Sequence, residues 1–281
     1  MNNSRVGIAL VTHNSVAFLQ ETLDSIESQL ASVSAVRVVD DHSQDGTTEM
    51  LADWVTDLRS RGIAADWQPS TSSAQDSRTR TAHNFTHAAR ALRSVDLIAL
   101  ADHDDRWLPD RLARQAVLMQ ERSELMFLAG NGVLSDGSGT LFGAFDVPED
   151  IATWPSDRLA RHVIRRSIAT GSASMIRRAL LEHPATMPPA GWLHDRWWSV
   201  VAASWCGLGV DQQPVIEYRV SPDQQVGLDR GRQRATGIGR LRRARLADLR
   251  SIHRLHGLKA SAAPEVSALF AYEGLMGNLA R

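Results

Sequence analysis

Three polar runs each follow directly on an apolar stretch: Thr12-His13-Asn14 after residues 6–11, Asp40-Asp41 after 36–39, and Asp102-His103-Asp104-Asp105 after 95–101. Asp102 and Asp104 form a DxD triplet. Two carboxylates at i and i+2 on a tight turn can converge on one hard cation, and Mg²⁺ or Mn²⁺ takes oxygen ligands while keeping places for phosphate oxygens. Such triplets also cap helices or solvate turns, so the spacing alone leaves both uses open. Asp41 can accept the imide N3–H of uracil or thymine, a donor that adenine lacks. Its other reading is a turn carboxylate bound to its own backbone. Asp45, ahead of Gly46-Thr47-Thr48, suits the N-cap of a helix.

The glycine-rich loops GxGxxG and GxxxxGK[ST] are absent, which argues against a dinucleotide enzyme or a P-loop ATPase. Neither GxSxG nor HExxH occurs. A diphosphate would therefore be held by a cation and arginines. The single cysteine, Cys206, excludes an internal disulfide and a cysteine-cluster metal site.

Strand and helix signals alternate ahead of these polar runs, as a parallel sheet with helices on both faces requires. Strands are expected at residues 6–11, 36–39, 63–67, 95–101, 125–128, 169–176 and 215–220. Leu19, Leu23, Ile26 and Leu30 share one helical face, with Asn14 and Ser15 as candidate caps. Leu51, Val55 and Leu58 mark a second helix, which Gly62 ends. Further helices are expected near 80–93, after Pro109, over 192–206, and in the tail at 239–256 and 264–279. In open α/β sheets ligands bind beyond the carboxyl ends of the strands, so the three polar runs should meet at one edge.

The chain has 281 residues, 43% hydrophobic and 22% charged, an ordinary globular mix. Its longest weakly polar run, residues 197–210, is shorter than the roughly 20 residues that span a bilayer. No signal peptide is legible, and a cytoplasmic protein is the expectation. Residues 228–281 hold 11 basic and 4 acidic residues, 11 − 4 = +7; the remainder holds 20 − 28 = −8. A basic tail on an acidic body either meets an anionic surface, leaving the protein peripheral at the inner face of the membrane, or packs on the body. No aromatic residues interleave its arginines as a nucleic-acid platform would require, so no nucleic-acid partner is expected.

Six blocks then occur in order: VGIALVTHN (6–14), VVDDHSQDGT (38–47), LADHDDRWLPDRL (100–112), TGSASM (170–175), HDRWW (194–198) and YRVSPDQQVG (218–227). Together they resemble the family 2 glycosyltransferases, and among them the rhamnosyltransferase-like branch. The resemblance implies the α/β GT-A fold, with a mostly parallel central sheet flanked by helices, over residues 1–228. The basic helical extension, 229–281, lies outside it. It implies inverting transfer of a sugar from a nucleotide diphosphate, dTDP-rhamnose or a UDP-sugar, to a hydroxyl of a glycan, lipid-linked or small-molecule acceptor in cell-surface polysaccharide or secondary-metabolite assembly. Thr12, His13, Asn14 and Asp41 would line the nucleotide site, with Arg80 near it. Asp102 and Asp104 would hold Mg²⁺ or Mn²⁺, and Arg219 would pair with the diphosphate. Asp195 falls at the catalytic base, although as a lone residue it reads equally as an N-cap. A nucleotide-sugar-binding protein without catalysis is the alternative.

The blocks depart from the family in places. His13 stands where tyrosine is usual, Ser221 where a histidine is frequent, and Gln224 for a common asparagine. Trp198, Ala202 and Trp205 share a face and read as core, while Trp192, beside Pro188-Pro189-Ala190-Gly191, is the expected acceptor contact.

Overall fold

A computed structural model describes residues 4–220, apart from residues 137, 166 and 169. In chain order the elements are β1 (Val6–Thr12), α1 (Val16–Glu27), β2 (Val33–Asp40), α2 (Thr47–Ser60), β3 (Ala64–Pro69), α3 (Ser77–Ala91), β4 (Leu97–Asp102) and β5 (Arg106–Trp107). There follow α4 (Arg111–Glu121), β6 (Phe127–Ser135), β7 (Leu141–Ala144), α5 (Ser156–Arg165), β8 (Met175–Arg177), α6 (His194–Ser204) and β9 (Leu208–Arg219).

The strands form one sheet in the order β3-β2-β1-β4-β8-β6-β9-β5, with β7 added to β6. The first four pair in parallel. β8 runs antiparallel to both β4 and β6, whereas β6 and β9 are parallel. Strand periodicity sorts the side chains into two layers. Ala9, Val11, Ile98 and Leu100 face a cluster with Phe85 of α3, Val163 of α5 and Trp197, Trp198 and Val201 of α6. Ile8, Leu10, Leu97 and Ala99 face the other cluster, with Leu19 and Leu23 of α1, Leu51 and Leu58 of α2, and Leu112 and Met119 of α4. Each fully buried side chain of this kind stabilises the fold by about 1.5–3 kcal/mol.

Register brings the polar runs together. Thr12 lies opposite Asp40 across β1 and β2, and Val11 opposite Asp102 across β1 and β4. Thus the carboxyl ends of β1, β2 and β4 stand side by side.

Several expectations change. Residues 169–176 were expected as a strand; only Met175–Arg177 pairs, after a 3-10 turn at Gly171–Ala173. The turn's groups bind the side chains of Asp195 on α6, Gln115 on α4 and Asp105 in the loop after β4, which an extended strand could not do. Leu30 begins a separate 3-10 turn rather than closing α1. β6 and β9 run well past the expected 125–128 and 215–220 because they pair with each other along most of their length. β5 and β7 carry no signal in the sequence. No side chain at Asn14 or Ser15 caps α1. Asp45 serves both helix starts: Oδ2 accepts Val16 N–H at 3.1 Å and Oδ1 accepts Thr47 N–H at 3.1 Å. Gly46, at φ 96°, holds the N-cap position of α2 itself. The expected tail helices, Ser221 and Gln224 lie outside the described residues.

Candidate active site

The loops after β1 and β2 are stitched to one another. Thr12 Oγ1 donates to Asp40 Oδ1 at 2.7 Å, and Asp40 also accepts Ser43 N–H at 2.8 Å, so Asp40 is a structural acceptor. Asn14 adopts φ 44°, a conformation asparagine tolerates. Its backbone N–H meets Ser43 Oγ, and its Oδ1 accepts Gln44 N–H. His13 Nδ1 lies 2.6 Å from Asp41 O, and Nε2 lies 3.2 Å from Asn14 Nδ2. A tautomer with Nδ1–H satisfies both contacts.

Asp41 is buried. Its Oδ2 accepts from Arg80 Nε at 3.0 Å, across from the first turns of α3. Its Oδ1 is buried without a hydrogen-bond partner among the described residues. A buried acceptor left unpaired costs free energy, so Asp41 offers one oxygen to a donor from outside.

At the end of β4 the ligand atoms of Asp102, His103 and Asp104 all lie within 4.8 Å of one another. Asp102 Oδ1 accepts His103 N–H at 3.1 Å. Burial, and then the charge of Asp104, push Asp102 up to about 6. The Asp102 side chain keeps 39% of its surface in solvent, so the crowding is the component a bound cation would reverse. Two convergent carboxylates and a nearby imidazole fit Mg²⁺ or Mn²⁺. Asp105, the next residue, is buried, takes Arg219 N–H on Oδ1 at 3.1 Å and the Ser172 hydroxyl on Oδ2, and is held well above the carboxylate range by burial and its acidic neighbours.

Asp195 lies inside the first turn of α6, with Leu193 at the N-cap position. It is therefore not the N-cap. Its Oδ2 accepts Gly171 N–H at 2.8 Å and its Oδ1 accepts Arg196 N–H at 2.6 Å. Burial pushes it up to about 6, against those hydrogen bonds. It is near enough to the DxD for its charge to raise Asp102 further.

The structure thus brings together Thr12, His13, Asn14, Asp41, Arg80, Asp102, Asp104 and Asp195 on elements that meet at one sheet edge. Arg219, expected on the diphosphate, donates from Nη2 to Glu21 Oε2 at 2.6 Å and stacks over Phe18 at 4.4 Å. Trp192, expected at the acceptor, is buried instead: it is edge-on to Trp197 at 5.4 Å with the Arg196 guanidinium 4.5 Å over its face. Trp198 and Ala202 are core, as expected, and Trp205 packs against it.

Sequence reasoning passed over Arg111. Arginine is a residue type that usually faces solvent, yet Arg111 is fully buried, on the same helical face as Gln115 and Met119. Its Nη2 donates to Leu100 O at 3.0 Å and its guanidinium lies 4.0 Å over Trp107. Burial lowers it to about 9, opposed by the charge of Asp105. Pro109, expected in the first turn of this helix, lies before it: Asp110, at φ 61°, holds the N-cap position and Arg111 opens α4.

Solved structures share this fold. Among solved structures, S. aureus TarS 1–349 in complex with UDP-GlcNAc superposes with a TM-score of 0.60 at 14% identity, covering 94% of this chain and 69% of that one. The mannosyltransferase PcManGT from Pyrobaculum calidifontis, in complex with GDP-Man and Mn²⁺, gives a TM-score of 0.57 at 16% identity, covering 96% and 69%. At these identities the likeness speaks for the GT-A fold. No curated protein sequence matches the chain. The description "Glycosyl transferase family 2" matches residues 8–183, well over half the chain and including the ends of β1, β2 and β4. The chain belongs to glycosyl transferase family 2 and is a glycosyltransferase.

Proposed function

We propose that this chain transfers a sugar from a pyrimidine nucleoside diphosphate to an acceptor hydroxyl, with inversion at the anomeric carbon. The observation that carries this reading is the convergence of Asp41, the Asp102–Asp104 cluster and buried Asp195 at one sheet edge. Asp41 Oδ1 accepts the imide N–H of uracil or thymine, with Arg80 holding its other oxygen. Thr12, His13 and Asn14 shape the floor on which the nucleoside lies. Asp102 and Asp104 hold Mg²⁺ or Mn²⁺, which when bound would neutralise charge growing on the departing diphosphate.

Asp195 takes the proton of the acceptor hydroxyl. The acceptor oxygen forms its bond to the anomeric carbon on the face opposite the diphosphate, and the bond from that carbon to the phosphate oxygen breaks. One base suffices; the acid–base pair of a glycosidase is not required. The resemblance to the rhamnosyltransferase-like branch puts dTDP-rhamnose first among donors.

A thermal-shift panel of dTDP-rhamnose, UDP-glucose, UDP-GlcNAc and GDP-mannose, with and without Mn²⁺, tests the donor, because a ligand that binds the native state raises its stability. The expected result is a Mn²⁺-dependent rise with a dTDP- or UDP-sugar, absent in Asp104→Ala. A rise with GDP-mannose alone would reject the pyrimidine reading. An unchanged response in Asp104→Ala would reject the metal assignment.

A further inference from the structure

The 3-10 turn Gly171–Ala173 touches both halves of the site. Gly171 donates its backbone N–H to Asp195 Oδ2 at 2.8 Å. Ser172 donates its hydroxyl to Asp105 Oδ2, one residue beyond the DxD. Helix α4 fastens the turn from behind. Gln115 Nε2 donates to Ala173 O at 2.9 Å, and Arg111 Nη2 donates to both Ser174 O at 3.3 Å and Leu100 O of β4 at 3.0 Å. All four residues from Gly171 to Ser174 are buried, so solvent does not compete for these bonds.

Position 171 has a steric reason to be glycine. A Cβ there would lie 2.8 Å from His194 Nε2 and 3.1 Å from its Cε1. The His194 ring has no room to yield: it is stacked on Phe85 with centroids 3.9 Å apart and meets Trp198 edge-on at 5.2 Å. Both of its ring nitrogens are buried without a hydrogen-bond partner among the described residues. Burial pushes its imidazole down to about 3, so the ring is neutral. It acts as a flat wall behind the turn.

We propose that Gly171 and Ser172 are positioning residues that set the separation between the base on α6 and the cation cluster at the end of β4, with His194 as the wall that keeps position 171 a glycine. The inference rests on the roles proposed above for Asp195 and the DxD. Displacement needs the acceptor oxygen and the leaving diphosphate on opposite faces of one carbon, and a misplacement of about 1 Å can cost a hundredfold in rate. A single rigid turn bonded to both sides holds that distance without touching substrate.

The test measures three quantities in each variant: nucleoside diphosphate release from dTDP-rhamnose and UDP-GlcNAc, calorimetric binding of dTDP and UDP in Mn²⁺, and the melting temperature. Gly171→Ala is expected to lower turnover by roughly a hundredfold while nucleotide affinity stays within about twofold of wild type. Adding His194→Ala should recover about tenfold of that loss by removing the wall. Ser172→Ala is expected to weaken Mn²⁺-dependent binding by about tenfold, because Asp105 beside the DxD loses its buried hydroxyl partner, with a modest fall in melting temperature. Wild-type turnover in Gly171→Ala, wild-type binding in Ser172→Ala, or a parallel fall of rate, affinity and melting temperature in both variants would overturn the proposal. Failure of the double variant to recover would remove His194 from it. Asp195→Asn, run alongside, separates this from the reading beneath it: full turnover in Asp195→Asn rejects the base, whereas a dead Asp195→Asn beside an active Gly171→Ala rejects only the positioning role.

Discussion

Asp195 shows how a buried setting sets chemistry at the scale of one residue. A carboxylate raised to about 6 by burial is a better proton acceptor than one in water, yet still ionised at neutral pH. As a base it works only when ionised, so the transfer rate should climb with pH through about 6. Asp195→Asn should lose roughly 10²–10⁴-fold in transfer rate with donor affinity nearly intact. The same shift acts on stability. The folded state holds this proton more tightly than the unfolded chain, so stability from Asp195 is fully present below about 4 and declines as pH rises through about 6. Asn cannot titrate. The melting temperature of Asp195→Asn relative to wild type should therefore rise between pH 4.5 and pH 7.5. A flat difference across that range would show that Asp195 titrates like an exposed carboxylate.

At the scale of elements, α4 locks the two halves of the sheet. Its fully buried Arg111 reaches Leu100 O on β4 and Ser174 O just before β8. Removing that donor leaves buried carbonyls short of a hydrogen bond, at about 1–3 kcal/mol each. Arg111→Met should lose stability on that order in urea unfolding, against less than about 0.5 kcal/mol for an exposed arginine such as Arg106. Equal small losses in the two variants would show that Arg111 is replaceable by apolar packing. Arg219 pairs with the exposed Glu21 of α1, and its backbone N–H, donated to Asp105 Oδ1, holds the end of β9 next to the DxD turn.

Across the whole molecule, charge divides between an acidic body and a basic tail of net +7, from 11 basic and 4 acidic residues. No described helix is long and apolar enough to cross a membrane. We propose that Arg240, Arg242, Arg243, Arg245 and Arg250, which lie outside the described residues, bind anionic lipid head groups, each contributing on the order of 1 kcal/mol near such a surface. Flotation with anionic vesicles at low salt should recover the protein, and neutral vesicles should not. Equal recovery with both, or none with either, would favour packing of the tail on the acidic body.

The N-terminal half of the site was legible because its determinants are local. Buried parallel strands read as unbroken apolar runs, and the polar residues after them mark the strand ends. Parallel pairing then aligns those ends, so Thr12, Asp41 and Asp102 were identifiable as neighbours from spacing alone. The family resemblance added Asp195. What the sequence could not decide lies in bonds between residues far apart in the chain. Residues 169–176 carry small and apolar side chains suited to a strand, but Asp105, Gln115 and Asp195 bind the backbone and hydroxyl of 171–173 and curl it into a turn. Arg111 carries the residue type of a solvent face and is buried because β4 and the turn offer it carbonyls. The antiparallel placement of β8 between β4 and β6 likewise has no local signal. Periodicity records which face of an element is apolar; which distant donor meets which acceptor is settled only when the elements pack, because an unpaired buried polar group costs too much to be left without a partner.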